Sequence, residues 1–96
     1  MQRGVLAITK QELSELLNIL NIEIFNGTQL YEKFKSASHS NENEIKILLS
    51  EDEIERVIDE VGPPIYENTI VNSAIEKING LMVTLRKNNL PDLDSN

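Results

Sequence analysis

Two stretches of this chain begin with a short apolar run, pass through a hydroxyl residue, and continue into apolar positions spaced three and four apart. The first is Val5-Leu6-Ala7-Ile8, followed by Thr9 and then by Leu13, Leu16, Leu17 and Leu20. The second is Lys46-Ile47-Leu48-Leu49, followed by Ser50 and then by Ile54, Val57, Ile58 and Val61. Each hydroxyl residue has a glutamate three places on, Glu12 and Glu53 respectively. That pairing is a capping box: the Ser/Thr oxygen accepts from the third amide of a helix, and the glutamate accepts from the N–H of the cap. Each apolar run is therefore expected to lead directly into a helix.

A shift of 41 places sets Thr9 on Ser50 and Glu12 on Glu53, and further along Thr28 on Thr69, Leu30 on Val71, Phe34 on Ile75 and Ala37 on Ile78. The chain reads as a tandem β-α-α pseudo-repeat with a 41-residue offset. The competing explanation is that any two capped amphipathic helices share this much, since few superposed positions are identical.

The periodicity predicts a first helix from Lys10 to about Ile24, stopped by Asn26-Gly27. Thr28 is expected to cap a second, shorter helix carrying Leu30, Tyr31, Phe34 and Ala37, which gives way to a loop in the polar run from Ser36 to Asn43. Residues Glu44 to Leu49 read as a strand, with alternation failing at Ile47-Leu48-Leu49, so that it is expected either to be buried on both faces or to serve as an edge. A lone strand leaves its backbone groups unpaired, so its partner is either Val5 to Ile8 or the same segment of a second chain. Ser50 caps a third helix that Gly62-Pro63-Pro64 ends.

The last helix is expected from near Glu67–Thr69 to about Asn88, and its apolar stripe is the longest in the chain. Two uses of that stripe stay open: packing on its own domain, or contact with a second copy through Val71, Ala74, Ile75, Ile78, Gly80, Met82 and Leu85. Gly80 and Ala74 would let another helix approach closely. The expected fold class is mainly α, with four helices and one or two short β-strands. Residues 1–90 form one small domain in this reading, and 91–96 a flexible acidic tail.

Composition narrows the function. The 96 residues hold 16 acidic and 9 basic side chains, a net charge of −7. Binding to a phosphate backbone relies on clustered Lys and Arg that release counterions, so nucleic acid is not an expected partner. A helix-turn-helix reader would need basic neighbours around a recognition helix, whereas Lys33, Lys35, Lys77, Arg86 and Lys87 are mixed with acids. The absence of cysteine removes disulfides, thiolate metal sites and cysteine nucleophiles, and fits a reducing, cytoplasmic setting. No stretch approaches the roughly 18 apolar residues of a membrane span, and the apolar run near the start is too short for a signal sequence.

Candidate chemistry is thin. His39 is the only histidine and lies among Ser36, Ser38 and Ser40 in a loop-like stretch, where neighbouring residues do not hold the fixed geometry of nucleophilic catalysis. Asp52, Glu55 and Asp59 share one helical face, but no segment has the alternating oxygens and central glycine of a calcium loop. The four glycines are scattered singly, without a phosphate-binding loop. Ser50 heads an acidic helix as the prosthetic-group serine of acyl carrier proteins does, yet Leu49-Ser50-Glu51 stands where their Asp-Ser-Leu is required. The sequence thus predicts no enzyme, cofactor, metal or small-molecule ligand. It predicts a small protein–protein interaction or oligomerisation module, with a protein partner or a second copy in a homodimer. The alternative is an acidic, antitoxin-like inhibitor that covers a basic surface of a nucleic-acid-binding or enzyme partner with Glu51, Asp52, Glu55, Asp59 and Glu60.

Overall fold

The computed structural model describes residues 3–89. The expected tail, 91–96, lies outside the described residues. Seven elements follow one another: strand β1 (Arg3–Thr9), helix α1 (Lys10–Ile19), a short 3-10 turn (Ile22–Phe25), helix α2 (Gln29–Ser38), strand β2 (Glu44–Ser50), helix α3 (Glu51–Val61) and helix α4 (Thr69–Asn89). The fold is mainly α, four helices with a two-stranded antiparallel sheet.

Both capping boxes form. Thr9 Oγ1 accepts from Glu12 N at 3.0 Å while Thr9 N donates to Glu12 Oε1 at 2.7 Å. Ser50 Oγ accepts from Glu53 N at 3.2 Å while Ser50 N donates to Glu53 Oε1 at 2.8 Å. Each strand therefore passes into its helix without a loop. The strands pair within the chain, Leu6 opposite Ile47 and Ile8 opposite Ile45, which answers the question of whether β2 finds its partner in the same molecule. Strand and first-helix starts lie 41 residues apart, 3 and 44, then 10 and 51. The second helices slip by one, because α2 is capped by Thr28 but α4 by Asn68, whose Oδ1 accepts from Ile70 N and Val71 N.

One face of the sheet is buried. Leu6, Ile8, Ile45, Ile47 and Leu49 point into a core with Leu13, Leu16, Phe34, Ile54, Val57 and most of the α4 stripe. The other face carries Val5 and Leu48, both about half exposed, with Ala7, Lys46, Thr9 and Glu44. Alternation thus holds through Ile47-Leu48-Leu49, where residue type alone breaks it: Leu48 is an apolar residue on the solvent face. Helix α4 packs on α1, α3 and β1, and α2 packs on β2.

The first helix is shorter than the periodicity suggests. It ends at Ile19, and Asn21 turns the chain into the 3-10 segment by accepting from Glu23 N at 3.1 Å. A polar side chain that satisfies a nearby backbone amide competes with helix continuation. Continued, the helix would place Ile24 on the stripe after Leu20; the break instead buries the larger Phe25 and leaves Ile24 half exposed. Helix α2, by contrast, runs through Ser38 and into the polar stretch, held by the buried Ala37 and by Ser38 Oγ donating to Lys35 O.

The glycine that mediates close approach is not Gly80, which has open space around it, but Gly4. A Cβ at Gly4 would stand 2.5 Å from Leu81 Cδ1 and 3.2 Å from Leu85 Cδ2, so β1 lies close against α4 and a larger residue there would require the Leu81 side chain to swing aside.

Candidate functional site

In an antiparallel pair, opposed residues alternate between those whose N–H and C=O face each other and those whose groups face away. Lys10 N donates to Asn43 O at 3.0 Å, and these residues continue the β1–β2 register by one step beyond Thr9 and Glu44. The pairs Ile8–Ile45, Leu6–Ile47 and Gly4–Leu49 therefore face inward along the ladder. Thr9–Glu44, Ala7–Lys46, Val5–Leu48 and Arg3–Ser50 face outward. The capping boxes agree with this parity, since the outward N–H groups of Thr9 and Ser50 are the ones their glutamates collect.

The outer edge of β2 accordingly presents the backbone N–H and C=O of Glu44, Lys46 and Leu48. The sheet has two strands, so no third strand takes them, and among the described residues no side chain or loop backbone does so. A groove of about 730 Å³ runs beside this edge. Its lining takes in Glu42 through Leu48 on one side and Lys33, Ser36, Ala37 and Ser40 on the other, with no residue from β1. It lies between the edge of β2 and helix α2, whose facing side chains are short except for Lys33. The Lys33 head is turned away into a 2.6 Å ion pair with Glu53.

The self-contact residues read from the sequence sit elsewhere. Val71, Ala74, Ile75, Ile78, Met82 and Leu85 are all buried inside the chain's own core, and Gly80 is exposed away from them. The stripe is thus taken up by α1, α3 and β1 and offers no free apolar face. The acidic residues lie along α3: Asp52, Glu55, Asp59 and Glu60 are exposed and Glu51 is partly covered. Arg86 of α4 reaches two of them, at 3.4 Å from Glu51 and 3.9 Å from Glu55.

His39 is exposed at the C-terminal cap of α2. Of its neighbours, Ser38 donates to Lys35 O and Ser40 Oγ accepts from Glu42 N, so neither is directed at the imidazole. Among the described residues no group of three or more His, Asp or Glu side chains is placed to hold a metal ion. No described helix is long and apolar enough to cross a membrane.

The carboxylates with perturbed titration are the two capping glutamates. Burial pushes Glu12 up, but hydrogen bonds from Lys77 (2.7 Å), Ser73 (2.6 Å) and the Thr9 amide outweigh it and hold the group below its ordinary value. Burial likewise raises Glu53, and bonds from Lys33 and the Ser50 amide bring it below the ordinary value. Both carboxylates hold helices, Glu12 through both of its oxygens and Glu53 through Oε1, which takes the Ser50 amide and Lys33 together.

The sequence leaves this strand either buried on both faces or an edge; which of its backbone groups point outward follows only from its pairing with β1. The signal was present in Glu44-Ile45-Lys46-Ile47-Leu48, whose polar positions mark the solvent face of a half-buried edge strand. Comparison with protein-family models, with curated proteins and with solved structures returned no match.

Proposed function

We propose that this protein is a protein–protein interaction module that works by strand addition at the outer edge of β2. The observation that carries the proposal is the row of unpaired backbone groups at Glu44, Lys46 and Leu48 beside the groove against α2. An extended segment laid there gains main-chain hydrogen bonds from the edge. Its alternate side chains reach either the groove, floored by Ser36, Ala37 and Ser40, or the exposed patch of Val5 and Leu48. Burial of the α4 stripe supports moving the contact surface from that helix to the strand. The same reading keeps the chain in a reducing, cytoplasmic setting, consistent with its lack of cysteine.

The acidic alternative rests on Asp52, Asp59 and Glu60, which stand exposed on α3. The two readings separate on salt: a contact of several acids with a basic surface weakens steeply as ionic strength rises, and backbone pairing responds far less. The decisive variant is Lys46→Pro. It removes one outward N–H and leaves the inward ladder intact, at an edge position where proline is tolerated. We expect Lys46→Pro to keep the fold but lose the protection from hydrogen exchange that a bound extended peptide gives to the Glu44 and Leu48 amides. Peptide binding that Lys46→Pro leaves unchanged would overturn the strand-addition reading.

A further inference from the structure

We infer that the segment added at this edge is β2 of a second copy, antiparallel, with the two-fold axis passing at Ile45. The inference rests on the strand-edge reading above and names its occupant. Backbone parity restricts the choice, because on β2 the outward N–H groups not collected by a cap are those of Glu44, Lys46 and Leu48, and outward residues must oppose outward residues for bonds to form. With the axis at Ile45, Glu44 of each copy faces Lys46 of the other, twice over by symmetry. Each of those opposed pairs exchanges two N–H···O bonds, and each places opposite charges across the solvent face of the new four-stranded sheet.

Charge selects this register over its neighbours. Moving the axis one position forward, to Lys46, sets Lys46 against its own symmetry mate, and moving it one position back, to Glu44, does the same with two glutamates. Like charges directly opposed across strands are destabilising. A lysine on an edge ordinarily deters pairing; here Glu44, two residues before it, makes one pairing self-complementary. The other obvious arrangement does not close. Pairing β1 of one copy with β2 of the next is head-to-tail and leaves a free edge at each end, whereas β2 with β2 closes after two copies. The groove has room for the approach, since α2 presents Ser36, Ala37 and Ser40 to it.

The test is the mass in solution, by sedimentation equilibrium from about 10 µM to about 1 mM protein, for the full chain and two charge reversals. Wild type is expected to pass from the 10.9 kDa monomer to a dimer as concentration rises, with the amides of Glu44 and Lys46 gaining protection from exchange in step. Glu44→Lys and Lys46→Glu, each alone, oppose like charges and are expected to weaken the dimer at least about tenfold. Mixed in equal amounts, the two variants pair an all-acidic edge with an all-basic one, and association is expected to return to wild-type strength or better. Both side chains are exposed, so each variant retains its core.

Wild type that stays monomeric throughout, or a dimer indifferent to both reversals, overturns the self-pairing. If the chain is monomeric but extended peptides still protect the Leu48 amide in wild type and not in Lys46→Pro, only the occupant is wrong. If neither happens, the strand-edge reading falls as well.

Discussion

The two strand-to-helix junctions are built from the same four-residue device and are used differently. At Thr9–Glu12 the capping glutamate is buried, 6% exposed, and its carboxylate also accepts from Ser73 and Lys77 of α4. At Ser50–Glu53 the glutamate keeps more contact with water and takes one further partner, Lys33 of α2. In each case the lysine comes from the second helix of the other half of the chain, so a local capping motif doubles as a long-range tie. The difference is one of burial. Glu12 lies beneath the longest helix, at the α1–α4 contact, with 7% of its side chain exposed, whereas the Glu53 side chain is 14% exposed and is reached by Lys33 of α2. A motif that fixes a helix start thus acquires a second role whose weight depends on what packs over it.

The contrast is broken most directly by deleting each glutamate. Glu12→Ala removes the acceptor for the Thr9 amide, the Ser73 hydroxyl and the Lys77 ammonium together. Loss of a cap plus charge-assisted bonds at a buried position is expected to cost about 2 to 3 kcal/mol. Glu53→Ala removes the acceptor for the Ser50 amide and for Lys33 at a wetter site, with an expected cost of about 1 kcal/mol. Urea unfolding of both variants measures the gap. Equal costs would mean that the ties to α4 add no more to their cap than Lys33 adds to the other.

The capping boxes, and with them the strand-to-helix boundaries, were legible because each is encoded within four consecutive residues. The same holds for the stop at Gly62, where φ is +72° and the N–H closes the helix onto Ile58 O. The end of the first helix was not legible, because periodicity favoured Ile24 while the competing Asn21 side chain and the size of Phe25 decided the outcome. The tie from Glu12 to Lys77 spans 65 positions, and only the packing of α4 across α1 brings the two together. The candidate site failed to appear for a related reason. The stripe on α4 looked like a surface until its partners were in place, and the edge of β2 became one only when β1 fixed the parity of its backbone.

Acid sharpens the comparison by a smaller amount. Both glutamates titrate below their ordinary value of 4.5 in the folded chain. A depressed carboxylate contributes stability that is complete above the unfolded-state value and is lost as pH falls through the folded-state value. Wild type should therefore lose stability as pH drops below about 4.5, and Glu12→Gln or Glu53→Gln, which keep an acceptor for the capping amide but carry no charge, should lose less. Unfolding free energies measured from neutral pH downward test this. A Gln variant that falls as steeply as wild type would remove its glutamate from the list of acid-sensitive ties.

The smallest effect separates the two lysines. Lys77→Met and Lys33→Met leave both capping boxes intact and remove only the long-range ion pair. Lys77 is 42% exposed and Lys33 is 24% exposed, so the more deeply buried glutamate holds the wetter lysine. Deleting Lys77 leaves the Glu12 charge among the Thr9 amide and the Ser73 hydroxyl, still hydrogen-bonded but poorly hydrated. Deleting Lys33 leaves Glu53, 14% exposed against 7% for Glu12, with somewhat more access to water. Lys77→Met should therefore cost about 1 kcal/mol and Lys33→Met about half of that or less, even though Lys33 is the better covered of the two. If the order is reversed, burial of the cation rather than of the carboxylate sets the strength of these ties.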